Sequence, residues 1–271
     1  MITNLFSLVF LVLILCSSSF LVSASDSDHG EDEYNYKSGD SKGPENWGNI
    51  KPEWKLCGTG KSQSPIDIIN STVHDLLQLG KLEKDYKPAP AVLKNRGHDV
   101  MLEWNGDAGK FDIKGVSYKL IQCHWHTPAE HTLNGTKFDM ELHAVHQNSK
   151  GEIAVIGMWY KIGGPDSLLS KLLDNIKSIS DKDKDVGIIN PEEIKFGGKK
   201  YYRYVGSLTT PPCTEGVIWT MLKKVRSVSS EQLKALKEAV HPGFEENARP
   251  TQDIGEREVL LYNPKKGTLQ E

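Results

Sequence analysis

Apolar positions along this chain recur mostly at a period of two, in short runs broken by glycine, asparagine and proline. Runs at Ile66–Ile69, Asp99–Trp104, Lys110–Ile113, Val116–Trp125, Phe138–Gln147, Glu152–Lys161, Tyr201–Gly206, Gly216–Leu222 and Arg257–Tyr262 predict strands. Turn residues such as Asn105-Gly106-Asp107 separate them. Two stretches switch to the helical period. Leu168, Leu169, Leu172, Leu173, Ile176 and Ile179 follow Asp166, which can cap a helix, and Ser229 with Gln232 forms a capping-box pattern ahead of Leu233, Leu236 and Val240. The expected architecture is mainly β (α+β), a single domain built on a large, mostly antiparallel central sheet with short peripheral helices. Tyr34–Trp54 has neither period and is rich in glycine, proline, asparagine and aromatic residues, so it reads as turns that pack rings onto the scaffold.

The same alternation assigns chemistry to one face. Five of the nine histidines (124, 126, 131, 143 and 146) crowd into one short segment. In a strand, Gln122, His124 and His126 share a face while Cys123 and Trp125 take the other. A neighbouring strand presenting Glu141, His143 and Val145 can bring a third imidazole to the same point. Three neutral nitrogens with an open fourth position are the pattern of a catalytic metal.

The chain ends and the remaining residue types narrow the setting. Residues 1–24 carry no charge, are apolar from Leu5 to Leu15 and end in Val22-Ser23-Ala24, the pattern of a secretory signal peptide, although its start lacks Lys or Arg. Residues 25–33 are polar and acidic and are expected to form a flexible arm, leaving 34–271 as the folded domain. Loss of the signal leaves Cys57, Cys123 and Cys213, which permit three pairings. Cys123 lies on the strand face away from the histidines and reads as a buried thiol, so Cys57 is paired with Cys213. Asn70-Ser71-Thr72 and Asn134-Gly135-Thr136 are candidate glycosylation sequons on a secretory route. A net charge of -3 and the lack of a basic stripe interleaved with aromatics point away from nucleic acid and towards a small-molecule substrate; beyond the signal no membrane span is expected, and oligomeric state stays open.

Five motifs, Gln63-Ser64-Pro65-Ile66-Asp67, His124-Trp125-His126, Glu130-His131, Glu141-Leu142-His143-Ala144-Val145-His146 and Ser207-Leu208-Thr209-Thr210-Pro211-Pro212-Cys213, resemble in order and spacing those of the α-class carbonic anhydrases. Gly43–Trp54 and Cys213-Thr214-Glu215-Gly216 resemble the plant branch of that class. The resemblance implies a zinc lyase interconverting carbon dioxide and bicarbonate by attack of zinc-bound hydroxide. It implies Zn2+ on His124, His126 and His143, with Gln122 orienting His124, Glu141 orienting His143 and the backbone near Asn247 orienting His126. It gives Thr209 and Glu130 a shared proton-filtering role and makes Val145, Val155, Leu208, Thr210 and Trp219 the substrate pocket. His98 becomes the proton shuttle, Tyr36 a member of its water chain, and His131 a residue supporting the ligands. Taken alone, several of these positions read otherwise: Glu130 as a solvated loop carboxylate, His98 as a surface histidine, and the pocket residues as plain core.

Three alternatives compete. Some plant relatives on this fold are reserve or defence proteins that have lost ligands, but all three histidines stand here. A cupin-like metal site lacks its glycines and proline, and a zinc peptidase lacks the His-Glu-x-x-His helix. Secretion to the cell wall is the expected destination, with the plastid, reached through the secretory route, as the alternative.

Overall fold

A computed structural model of the chain describes residues 33–264; the expected signal peptide, all of the acidic arm but Glu33, and residues 265–271 lie outside them. Six strands form the centre: Val100–Trp104 (β1), Val116–His126 (β2), Met140–Gln147 (β3), Ile153–Ile162 (β4), Tyr201–Ser207 (β5) and Glu215–Val228 (β6). They are ordered β1-β2-β3-β4-β6-β5 within a sheet of twelve strands. All central pairs are antiparallel except β4 with β6, which run parallel. Leu260–Tyr262 and His74–Asp75 extend the sheet beyond β5, and the latter joins in parallel.

Several elements depart from expectation. Ala89–Asn95 and Lys184–Ile189 pair outside β1, and Glu83–Tyr86 pairs with Gly109–Ile113, yet only the last of these four runs is predicted by alternation. Ala-Pro-Ala presents too little apolar surface to register as a strand, and Lys-Asp-Val-Gly-Ile-Ile has no alternation; both are held by their neighbours. The run at 66–69 shrinks to Asp67–Ile68 and belongs to a separate three-stranded sheet with Thr132–Leu133 and Thr136–Lys137. The predicted strand from Arg257 begins only at Leu260, whereas β6 runs six residues past Leu222 to Val228. Short helical turns at Trp47–Ile50 and Pro52–Trp54 occupy the stretch read as turns, and a third, Leu56–Thr59, follows just beyond it.

Helices Ser167–Lys177 (α1) and Ser230–Ala239 (α2) cover one face of the sheet. Asp166 Oδ1 accepts from the N–H groups of Leu168 and Leu169, and Ser229 and Gln232 complete the capping box; such caps contribute about 1 kcal/mol each. The Gln232 carboxamide also bonds both backbone groups of Asp166, so one side chain ties the two helix starts together. Ile179 and Val240 fall just beyond the helices but still pack on the core. Leu168, Leu169, Leu172 and Ile176 pack with Cys123, Trp125, Leu142, Ala144 and Ile156; burying each such aliphatic side chain stabilises the fold by about 1.5–3 kcal/mol. The opposite face carries a second apolar cluster, including Ile66, Val155, Tyr204 and Trp219. A third cluster packs Trp47 and Trp54 around the Cys57–Cys213 disulfide, and Tyr34 and Tyr36 lie against it. Cys123 is the free, buried thiol among the described cysteines. Among the described residues no helix is long and apolar enough to cross a membrane.

His146 lies on the helix-covered face, where Nε2 accepts from the Tyr86 hydroxyl at 2.7 Å and burial pushes its pKa from 6.5 down to about 4. The unfolded chain therefore takes up this proton near pH 6.5 and the folded chain only near pH 4. Its contribution is fully present above about pH 6.5 and is lost as pH falls to about 4, on the order of 3 kcal/mol in total. His146→Gln should reduce the loss of unfolding free energy between pH 7 and pH 4 by about that amount in urea titrations; equal losses in both proteins would contradict it.

Candidate metal centre

The register between β2 and β3 determines the site. His143 lies opposite His124, Glu141 opposite His126 and Val145 opposite Gln122, so alternation on both strands turns all six side chains to one face. The three imidazole centroids are 4.6 to 5.2 Å apart, and their ligand nitrogens lie within 4.8 Å of one another. All three histidines are buried, with exposures of 9%, 0% and 1% for His124, His126 and His143.

Each ring is held by its far nitrogen. His124 Nδ1 bonds Gln122 Oε1 at 2.8 Å, His126 Nδ1 bonds the Asn247 carbonyl at 2.8 Å and His143 Nε2 bonds Glu141 Oε1 at 2.7 Å. These acceptors assign the far nitrogens as N–H donors and leave lone pairs on His124 Nε2, His126 Nε2 and His143 Nδ1. Burial pushes the pKa of His124 and of His143 below the ordinary value, which keeps both imidazoles neutral as metal ligation requires. His126 Nε2 is buried without a hydrogen-bond partner, as is Glu130 Oε2 3.6 Å away. A buried, unsatisfied imidazole nitrogen beside two others is the donor set of a metal with nitrogen preference, and zinc fits it. A second grouping, His131, Glu141 and His143, also satisfies metal-ligand spacing. Its contacts are hydrogen bonds, because both His131 Nδ1 and His143 Nε2 donate to Glu141 Oε1.

Glu141 is fully buried and accepts four N–H groups, those of His131 Nδ1, His143 Nε2 and the backbone of Glu130 and His131. Burial alone would raise its pKa; His131 beside it and the hydrogen bonds outweigh that and hold the carboxylate ionised well below the usual range. His131 Nε2 accepts from the Tyr204 hydroxyl at 2.6 Å, and Tyr204 in turn bonds Ser64 Oγ at 2.8 Å.

The other sequence-derived residues sit around this centre. Glu130 Oε1 accepts from the Arg249 backbone N–H at 2.9 Å. Thr209 is buried in the loop between β5 and β6, with Leu208 and Thr210 partly buried beside it. Val145, Val155, Leu208 and Trp219 share the apolar cluster on the histidine face, and the Trp219 ring lies 4.8 Å from that of His143. Asn247 does more than its backbone role: Oδ1 accepts from the Thr127 N–H, and Nδ2 donates to the His98 carbonyl, which joins the His98 turn to His126. His98 is half-buried, its Nε2 3.8 Å from Asp99 Oδ2 and its ring 5.6 Å from Tyr34. Tyr36 packs on Trp47 and Phe244, and burial raises its hydroxyl pKa well above the ordinary value. The sequons meet in space: Asn70 and Asn134 are exposed, and the Asn70 N–H donates to Asn134 Oδ1 at 2.8 Å.

Asp99, Arg96 and Arg249 are not legible as site residues from sequence. Asp99 is wholly buried; desolvation would raise its pKa, but the Arg96 guanidinium outweighs it and holds the carboxylate far below its usual range. An Arg and an Asp three apart occur on many surfaces, so no signal in the sequence marks this pair as interior.

The eukaryotic-type carbonic anhydrase family model matches residues 42–263. Alpha carbonic anhydrase 4 of Arabidopsis thaliana is 49% identical over 97% of this chain and 98% of its own length, and alpha carbonic anhydrase 7 of that plant is 49% identical over 90% and 91%. Among solved structures, dioscorin complexed with ascorbate is similar at a TM-score of 0.84 and 41% identity, covering 86% of this chain and 98% of that one. The α-carbonic anhydrase of Thermovibrio ammonificans with the inhibitor sulfanilamide is similar at a TM-score of 0.77 and 33% identity, covering 85% and 100%.

Because each support of a ligand ring contributes to metal binding, Glu141→Gln should weaken zinc affinity about 10- to 100-fold in competition with a chromophoric chelator. His143→Gln should bind zinc more weakly still. Wild-type affinity in both variants would contradict the ligand set.

Proposed function

This chain belongs to the eukaryotic-type carbonic anhydrase family, and from that premise we propose that it reversibly hydrates carbon dioxide to bicarbonate and a proton, using zinc held by His124, His126 and His143. The observation that carries the reading is the convergence of three buried imidazoles with His126 Nε2 left unsatisfied. Zinc bound there supplies Lewis acidity that makes water a nucleophile near neutral pH; the pKa of about 7 for such a water is the general value for carbonic anhydrases, the type example of this chemistry.

The protein's own residues do the rest. Gln122, Glu141 and the Asn247 carbonyl fix which nitrogen each ring presents. Thr209 has one hydroxyl proton, and buried Glu130 Oε2 is the acceptor that would take it. With its proton committed, the Thr209 oxygen can only accept, so it favours a nucleophile or inhibitor that carries a proton. Carbon dioxide is uncharged and weakly hydrated, and Val145, Val155, Leu208 and Trp219, with Thr210 at the edge, offer it an apolar wall. His98 suits proton export because a histidine titrates near neutrality and its ring is partly exposed.

A second reading, a small-acid binding protein without catalysis, draws on the likeness to dioscorin complexed with ascorbate. The complete histidine set favours the enzyme. The candidate signal peptide and sequons support passage through the secretory route to the cell wall, or through it to the plastid.

Thr209→Val should lower hydration on the order of 100-fold at unchanged zinc content, and an unchanged rate would overturn the proton-filter role. His98→Ala should slow turnover about tenfold or more in dilute buffer, with recovery on adding imidazole. Equal rates in dilute buffer would remove His98 from proton export.

A further inference from the structure

The motif Gln63-Ser64-Pro65-Ile66-Asp67 has no part in metal ligation or proton transfer. Its first residue is 4% exposed and uses each arm of its carboxamide. Gln63 Nε2 donates to the Cys213 carbonyl at 3.1 Å and to Glu215 Oε1 at 3.0 Å, while Oε1 accepts from Arg249 Nη1 at 2.9 Å. Arg249, 1% exposed, also donates through Nη1 to the Ser64 carbonyl and through Nη2 to the Cys57 carbonyl, both at 2.8 Å. Its backbone N–H donates to Glu130 Oε1. One carboxamide therefore touches the Thr209 loop on one side and, through a single residue, the Glu130 carboxylate on the other.

That loop has few other restraints near Thr209. Leu208 N–H bonds the Thr214 carbonyl and Cys213 N–H bonds the Thr210 carbonyl, each at 2.9 Å, so the loop closes on itself and its placement depends on what grips its ends. Ser64 and Ser207 grip one end by reciprocal bonds of 2.9 and 3.0 Å. Gln63 and the disulfide grip the other at Cys213. The grip has a direction as well as a strength. A guanidinium requires the carboxamide oxygen, and a carbonyl with a carboxylate requires the NH2, so only one orientation of the Gln63 amide satisfies all three neighbours. In a buried site the reverse orientation would leave every one of them mismatched.

We propose that Gln63 is a positioning residue that sets the separation between Thr209 and the Glu130 carboxylate, acting through the Cys213 carbonyl and through Arg249. The inference rests on the proton-filter reading of Thr209 and Glu130. It predicts a selective defect: a ligand that donates a proton to Thr209 depends on this spacing, whereas a ligand with no proton does not.

The test uses the zinc-loaded mature protein and two inhibitors, an aromatic sulfonamide whose ionised nitrogen keeps one proton, and thiocyanate, which has none. Gln63→Met keeps the volume and removes all three contacts. Gln63→Glu keeps the acceptor for Arg249 but turns an oxygen on the Cys213 carbonyl and Glu215. Adding Glu215→Gln to it restores a donor–acceptor pair at that contact. Both single variants should retain zinc, bind the sulfonamide about tenfold more weakly and bind thiocyanate within about twofold of wild type, and the double variant should recover part of the sulfonamide loss. Equal weakening of the two inhibitors, no weakening of either, or loss of zinc in both single variants would overturn the proposal. Thr209→Ala separates the filter from its positioning. If it leaves the sulfonamide-to-thiocyanate ratio unchanged, the filter itself is wrong and the Gln63 role falls with it; if it collapses the ratio while Gln63→Met does not, Gln63 alone is misassigned.

Discussion

A fully buried carboxylate is the interaction on which this structure depends. Glu141 has no exposure, so its charge is tolerable only because four N–H groups converge on it. Those four donors come from the His143 and His131 rings and from the backbone of Glu130 and His131. Satisfying one charge thereby orients the His143 ring, anchors the segment after β2 and links to Tyr204 and Ser64. Removing any donor would leave a desolvated charge short of a partner, which is a larger penalty than the loss of an ordinary surface contact.

The sheet supplies the precision that this arrangement needs. β2, β3 and β4 are interior strands with neighbours on both sides, so His124, His126 and His143 project from backbone that cannot shift alone. Helices α1 and α2 cover the other face with leucine and isoleucine, and a one-residue slip of β3 would exchange Leu142 and Ala144 for Glu141 and His143 in that apolar layer. Register is thus enforced by burial on one face and exploited on the other. Loops carry Thr209, His98 and Asn247, and each is tied back by side-chain bonds to backbone rather than by strand pairing.

Much of this architecture is legible in the order of residues alone. Period-two alternation places Gln122, His124 and His126 on one face and Glu141, His143 and Val145 on another, and the two faces prove to be neighbours in register. Cys123 reads correctly as the buried thiol, because its parity sends it into the helix-covered core. What alternation misses are elements defined by partners: Ala89–Asn95 is poor in large side chains, and Lys184–Ile189 is an edge strand with charges and a glycine. Long-range polar contacts are equally silent. Arg249 meets Gln63 across 186 residues and Asn247 meets His98 across 149, and neither member of either pair carries a local pattern that names the other.

The central claim, that the three-histidine centre performs zinc-dependent hydration, is tested most directly by stopped-flow hydration of carbon dioxide with the purified mature protein at one zinc per chain, before and after chelation. The account predicts fast hydration that disappears with the metal and returns on adding zinc. Absence of hydration with zinc fully bound would contradict it and leave a binding protein on a carbonic anhydrase fold.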